Sequence, residues 1–365
     1  MSDPTRMRAA LALARRHLGL TWPNPSVGCV LVKNGIVVAR GLTQEGGQPH
    51  AEAVALARAG KQAKGAIAYI TLEPCNHTGK SPPCTDALIA AGVSRVVVAV
   101  EDPDPRVSGR GIARLRDAGI EVEVGLCAAE ATEVNAGFFM RIKHGRPLVT
   151  LKLATSLDGK LATASRESQW ITSEAARARG HLLRAYNDAL LVGIGTVMTD
   201  NPQLTCRLPG MASRSPVRII ADGALRAPLT AKVVAEANQA PTWFIVRHGI
   251  GGERRRVFAD CGVEIIDVGA TATGETDLAA ALQTLGKRGI TRLLVEGGAT
   301  IASAFLRADL VDRLAWFRAP LLIGSDGLPA VVGLGVEQLG QAPRFERLAV
   351  DSIGEDVLET LRRAA

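Results

Sequence analysis

Apolar residues recur at Met7, Leu11, Ala14 and Leu18, which predicts an amphipathic helix opening at Asp3-Pro4, a good cap and first-turn pair. The pattern then changes period. Val27 to Val32 and Ile36 to Arg40 read as strands around Lys33-Asn34-Gly35, whose Asn-Gly is a strong hairpin signal. Next come a helix from His50 through Leu56 ending at Gly60, a strand over Ile67 to Leu72, a helix over Thr85 to Ala91 stopped by Gly92, and a strand over Val96 to Val100. A helix over Gly111 to Ala118 and the alternating strand Glu121 to Val124 complete the series. Strands alternating with helices predict a sheet covered by helices on its faces.

The polar break His144-Gly145-Arg146-Pro147 separates this series from a second one, giving expected domains at residues 1–145 and 146–365. Two domains also suit 365 residues, more than a single core usually holds. The later strands are expected at Leu148 to Leu153, Ala189 to Val192, Val217 to Ala221, Thr242 to Val246, Arg292 to Val295 and Leu314 to Arg318. Helices are expected at Ser173 to Tyr186, Asp277 to Leu285 and Ala299 to Leu306. The second half does not repeat the first, so internal duplication is excluded.

Composition narrows the classes. The net charge is +7, but lysines and arginines are scattered without a long basic run, so nucleic acid is not demanded and a phosphorylated small substrate suits the balance as well. There is no run of about 18 apolar residues and no apolar leader, so a cytoplasmic protein without a membrane partner is expected. Of six cysteines, Cys29, Cys127, Cys206 and Cys261 are widely spaced and read as reduced thiols. The other two belong to a different pattern.

His50-Ala51-Glu52, Pro74-Cys75 and Pro83-Cys84 supply an imidazole, two thiols and a carboxylate. One neutral imidazole and two thiolates are three ligands of a tetrahedral Zn²⁺ whose fourth position stays open for water. Glu52, two residues past the first ligand, can take the proton of that water and pass it to a departing amine, as in zinc-dependent base deaminases. The spacing departs from the generic signature, because eight residues rather than two separate the cysteines. The inserted loop carries His77 and Lys80 and could reach a substrate phosphate. A chance coincidence of these residues with a merely solvated loop is the bland alternative; against it, all three ligands sit at expected element ends.

Two glycine turns mark the second half. Gly193-Ile194-Gly195-Thr196 and Glu296-Gly297-Gly298-Ala299-Thr300 each follow an apolar strand, and the latter opens a helix, where free N–H groups favour a phosphate. Neither completes the dinucleotide fingerprint, and a strand-to-helix turn asks for glycine in any case.

With Asn24-Pro25-Ser26-Val27-Gly28-Cys29, Lys152 to Gly159, Gln169-Trp170-Ile171-Thr172, Gly195-Thr196-Val197, Asp200-Asn201-Pro202 and Val295-Glu296-Gly297-Gly298, these motifs run in order through both halves. The chain resembles the bifunctional riboflavin-biosynthesis proteins that join a diaminohydroxyphosphoribosylaminopyrimidine deaminase to a 5-amino-6-(5-phosphoribosylamino)uracil reductase. The resemblance implies an α/β protein with a cytidine-deaminase-like α/β/α domain followed by a dihydrofolate-reductase-like α/β domain. It implies Zn²⁺ held by His50, Cys75 and Cys84, with Glu52 as the proton relay for hydrolytic deamination at the pyrimidine C2. Asn24, His77 and Lys80 are implied substrate contacts, and Asp102 and Asp104 could hold ribose hydroxyls, although plain turn chemistry accounts for them equally.

In the second domain the resemblance implies hydride transfer from NADPH to C1′ of the opened ribose, giving a ribityl side chain. Ala154, Trp170, Thr196, Asp200, Gly298, Ala299, Thr300, Ile301, Ala302, Ser303 and Ala304 would line the cofactor. Ser168, Arg184, Leu204, Arg207 and Glu296 would touch the substrate, the arginines because their fork suits phosphate oxygens. Trp170 could instead be a core aromatic, Arg184 a solvated helix face and Asp200-Asn201-Pro202 a plain turn. Arg214, Arg218 and Arg226 are candidates for the 2′-phosphate of NADPH. The expected partner is a small phosphorylated pyrimidine and the expected state a homo-oligomer. A tRNA-type base deaminase with an appended binding module is the rival reading, and it would need aromatic surface that a 4% aromatic content hardly supplies. A regulatory zinc protein is another, and the proton-relay carboxylate argues against it.

Overall fold

The computed structural model describes residues 2–78 and 82–364, and the chain divides into two compact units, Met1–Gly145 and Arg146–Ala365. In the first unit, α1 (Asp3–Arg16) leads into the hairpin β1 (Gly28–Lys33) and β2 (Ile36–Leu42), followed by α2 (Ala51–Ala59), β3 (Ile67–Ile70), α3 (Cys84–Ala90) and β4 (Arg95–Val98). Then come α4 (Arg110–Asp117), β5 (Glu121–Val124), α5 (Ala128–Val134) and α6 (Ala136–His144). The sheet order is β2-β1-β3-β4-β5, antiparallel on both sides of β1 and parallel from β3 to β5.

Alternation along β1 builds the two layers of this unit. Val30 and Val32 pack with Met7, Leu11 and Ala14 of α1 and Ala131 and Val134 of α5. Cys29 and Leu31 pack on the opposite side with Ala55, Leu88, Leu115 and Phe138. Two glycines set how closely the helices approach. A Cβ on Gly28 would overlap the Ala10 carbonyl oxygen of α1, and one on Gly41 would overlap the Ala51 carbonyl oxygen at the start of α2. The α2 N-terminus, and with it His50, is thereby held against the sheet.

In the second unit the elements are β6 (Leu148–Thr155), β7 (Lys160–Ala162), α7 (Glu174–Ala185), β8 (Ala189–Gly193), α8 (Ile194–Asp200), β9 (Val217–Ala221), α9 (Lys232–Ala235), β10 (Thr242–Arg247), α10 (Gly252–Asp260) and β11 (Val263–Val268). They continue with α11 (Leu278–Lys287), β12 (Arg292–Val295), α12 (Ala299–Arg307), β13 (Arg313–Arg318), β14 (Leu328–Pro329), β15 (Phe345–Ile353) and β16 (Asp356–Arg363). Nine strands form one mixed sheet, β11-β10-β9-β8-β12-β6-β13-β16-β15. It is parallel from β11 to β13, and β16 and β15 close it as an antiparallel hairpin. The parallel strands therefore end at one edge, where α/β proteins place their ligands.

The predicted elements are present with ends moved by at most two residues, save that Leu18 lies beyond α1, which stops at Arg16 ahead of Gly19 in a left-handed conformation. Gly193-Ile194-Gly195-Thr196, read as a glycine turn, is the start of helix α8. Helices α5, α6 and α10, strand β11 and the hairpin β15–β16 were not expected. Phe258 is the one buried residue of α10, and β15 is exposed along most of its length, so neither carries a readable apolar stripe. Among the described residues no helix is long and apolar enough to cross a membrane.

Gly28→Ala should lower stability by about 1–3 kcal/mol through forced separation of α1 from β1. Urea unfolding of the full chain would show this as a lower midpoint, and an unchanged midpoint would contradict the close approach.

Candidate functional site

His50 caps the N-terminus of α2, Cys84 is the first residue of α3, and Cys75 lies in the loop after β3. Their ligand atoms all lie within 4.8 Å of one another. His50 Nδ1 is 3.3 Å from Cys84 Sγ and 3.6 Å from Cys75 Sγ. Bonds of about 2.1 Å to nitrogen and 2.3 Å to sulfur subtend a tetrahedral edge of about 3.6 Å, so the three residues fit one zinc ion. The Gln48 side chain meets His50 Nε2 at 2.7 Å, which turns Nδ1 toward the thiols.

Charge chemistry agrees with that fit. The Cys75 thiol is lowered to about 4, chiefly by the hydrogen bond from Cys84, while Cys84 is raised by the same bond and by burial. One proton thus serves two sulfurs, and a dication is what lets both ionise. Glu52, only 3% exposed on the first turn of α2, is raised to about 7 by burial and then by the Cys75 charge. A buried carboxyl able to carry a proton stands beside the three ligands.

The other expected residues of this unit have local partners. Asn24 Nδ2 donates to Gly47 O at 3.3 Å, and Asp102 Oδ1 accepts the Asp104 N–H at 2.8 Å in a tight turn. Asp104 takes the Arg106 guanidinium in a forked pair. His77 Nδ1 is buried without a hydrogen-bond partner among the described residues, and Lys80 lies outside them.

In the second unit a cavity of about 640 Å³ opens where the parallel strands end. Ala154, Ser168, Trp170, Arg184, Thr196, Asp200, Leu204, Arg207, Glu296 and Gly298 all line it, although they are drawn from widely separated parts of the unit's sequence. Thr300, Ile301 and Ala304 line an adjoining cavity of about 360 Å³ with Gly193 and Gly195. Ala299, Ala302 and Ser303 are instead buried on the inner side of α12, where Ser303 Oγ accepts the Val332 N–H. Trp170 is 65% exposed, not a core aromatic, and the Arg177 guanidinium lies 4.5 Å from its ring. Arg184 is no solvated helix face either: Nε and Nη2 donate to the two oxygens of Glu296 at 2.9 and 2.8 Å, and Nη1 donates to Thr205 O.

Burial pushes the Glu296 carboxyl up, but Arg184 and Lys152 outweigh it and bring it to about 2. Lys152 is itself lowered by burial, with Glu296 opposing. His181, beside Arg184 and Arg207, is lowered to about 4 by burial and by both cations. Leu204 is held at φ +59°, a strained conformation for a branched side chain, on the wall of the same cavity.

Residues 147–358 match the RibD C-terminal domain and residues 1–100 the zinc-binding region of cytidine and deoxycytidylate deaminases. The riboflavin biosynthesis protein RibD of Aquifex aeolicus is 43% identical over 99% of this chain and 98% of its own length. The Escherichia coli RibD is 44% identical over 98% of both. The chain belongs to the RibD family. The solved RibD of Acinetobacter baumannii superposes with a TM-score of 0.89 at 40% identity, covering 100% of this chain and 99% of that one. A Thermotoga maritima diaminohydroxyphosphoribosylaminopyrimidine deaminase/5-amino-6-(5-phosphoribosylamino)uracil reductase gives 0.86 at 35% identity over 99% and 98%. As a RibD-family member this chain is a bifunctional deaminase and reductase of riboflavin biosynthesis, with Zn²⁺ and NADPH as its cofactors.

Sequence reasoning missed what holds the Cys75 loop in place. Glu73, immediately before Pro74-Cys75, is 4% exposed and accepts four backbone N–H groups, from Asp102 and Gly109 on Oε2 and from Gly111 and Ile112 on Oε1. Two of these are first-turn donors of α4, whose cap residue Gly109, just before the helix, has no side chain to satisfy them. Gly111 must be glycine, because a Cβ there would overlap the Pro74 carbonyl oxygen. The Glu-Pro-Cys triplet was visible in the sequence; its partners, 29 to 39 residues away, were not.

Glu73→Ala should leave three buried donors and one half-buried donor without their acceptor and cost about 3–5 kcal/mol. Zinc retention against a chelator should fall with it. A variant that unfolds and holds zinc like the parent would show that the Glu73 bonds are dispensable.

Proposed function

We propose that the first unit performs the deamination and the second the reduction, with the residues named above in the following roles. The substrate is 2,5-diamino-6-(5-phosphoribosylamino)pyrimidin-4-one. In the first unit His50, Cys75 and Cys84 would hold Zn²⁺, which when bound would supply an activated water for attack on the pyrimidine C2. Glu52 receives the proton of that water and returns it to the departing amine, so the leaving group is ammonia. Burial suits Glu52 to this exchange: its carboxyl is raised to about 7, where protonated and ionised forms are both accessible near neutral pH.

In the second unit bound NADPH would supply a hydride for C1′ of the opened ribose, and the chain would orient the two reactants. Ala154, Trp170, Thr196, Asp200 and the α12 start at Gly298, Thr300 and Ile301 face the cofactor, with the free N–H groups of that turn toward its pyrophosphate. Ser168, Leu204, Glu296 and the two arginines face the substrate. Arg184 is forked onto Glu296, and Arg207, on the same wall beside it, takes the substrate phosphate in this reading. His181, kept neutral between the two arginines, does not compete for that anion. The observation that carries the reading is the single carboxylate, Glu52, buried beside a three-ligand metal site in one unit, with a cation-rich cavity in the other.

Glu52→Gln should keep stoichiometric zinc and lose ammonia release by roughly a hundredfold or more, whereas Cys75→Ser should lose the metal as well. Near-normal ammonia release from Glu52→Gln would refute the assigned relay.

Arg207→Ala should raise the reductase KM for the phosphorylated substrate by about ten- to a hundredfold, the worth of one charge-assisted bond, and leave deamination intact. Dephosphorylated substrate should be handled equally poorly by parent and variant. Continued strong discrimination by Arg207→Ala would assign the phosphate to another group.

A further inference from the structure

The cavity of about 360 Å³ lies at the carboxyl ends of β8 and β9, near the lower end of the roughly 300–1,000 Å³ typical of small-molecule sites. Its walls are glycine and apolar: Gly193 and Ile194 where β8 meets α8, Ala221 at the end of β9, and Ile301 and Ala304 on α12. A planar, weakly polar group such as a purine suits walls of that kind. Arg226 is the one charged residue in the lining.

We propose that Arg226 selects NADPH over NADH by binding the 2′-phosphate of the adenosine ribose, with the adenine in this cavity. The proposal rests on the reading that the cofactor crosses the α12 N-terminus from the larger cavity, which shares Gly195 with the smaller one.

The neighbouring acid strengthens the assignment. Dinucleotide sites that take the unphosphorylated cofactor present a carboxylate to the ribose 2′-hydroxyl near the end of a strand, whereas an arginine there accommodates a 2′-phosphate. Asp222, directly after β9, is fully buried and turned into its own loop: Oδ2 accepts the Ala227 N–H at 2.8 Å and Oδ1 lies 3.5 Å from Arg226 Nε. The carboxylate therefore steadies the guanidinium instead of meeting a ribose. Arg226 itself has a side chain 64% exposed, free to close on an incoming anion.

The two rival arginines are engaged elsewhere. Arg218 is fully buried, with Nε donating to Thr242 Oγ1 and its terminal nitrogens to the carbonyls of Gln203, Glu236 and Ala240. Its sequence-based candidacy for the 2′-phosphate is corrected by that burial. Arg214 stacks 5.6 Å from the Tyr186 ring and is absent from the cavity lining.

Calorimetric titration of the full-length protein with NADPH, NADH, 2′-phospho-ADP-ribose and ADP-ribose tests the assignment without turnover. Arg226→Ala should weaken both 2′-phosphorylated ligands by about ten- to a hundredfold and leave the other two within about twofold. Arg226→Lys should recover part of the loss, since a point charge lacks the fork. An Arg226→Ala protein that keeps its preference for NADPH, or loses NADH and NADPH affinity equally, overturns the selectivity role while leaving the cofactor site standing. Failure of the parent protein to bind NADPH would overturn the site and the role together.

Discussion

Glycine packed so closely that no side chain fits is the contact on which both units depend, against backbone in the first and against a threonine side chain in the second. At Gly41 the sheet meets the start of α2, and at Gly111 the start of α4 meets the Pro74 carbonyl. These two contacts fix the helix carrying His50 and Glu52 relative to the loop carrying Cys75. In the second unit Gly297, at φ +125°, leaves 2.8 Å between an added Cβ and Thr196 Oγ1, so the turns opening α8 and α12 close on each other. Reactive groups in both units sit where a strand stops and a helix begins, and glycine sets the tolerance there.

Around those frames, buried charge is balanced in opposite ways. The first unit concentrates negative capacity: two thiols and Glu52 share a small volume, which a dication offsets. The second unit gathers Lys152, Arg184 and Arg207 about the Glu296 carboxylate, leaving positive excess for a phosphorylated ligand. A formal charge of +7 spread along the chain gave no hint of either local sign.

The clustering of His50, Cys75 and Cys84 was legible because its signal is local: two of the three lie at helix starts that short-range periodicity identifies, and the third in the Pro-Cys loop between β3 and α3. Most strands were legible for the same reason, being buried apolar runs such as Ala189 to Val192. Glu73 was illegible, since its role lies in four donors contributed by a distant loop and the first turn of α4. Arg218 and Arg226 look alike in sequence, eight positions apart, yet one is sealed among carbonyls and the other opens to a cavity. The edge strand β15 was missed because solvent on both sides removes the alternation that marks a half-buried strand.

The Arg184–Glu296 fork spans α7 and the residue after β12 and is made wholly from the chain's own side chains. Much of the rotamer entropy of two long side chains is therefore spent during folding, not at the moment of encounter. Ligand recognition at that wall is closer to insertion into a rigid mould than to a search by mobile arms. An inhibitor gains there by matching a fixed shape, and a flexible compound bears the whole ordering cost itself.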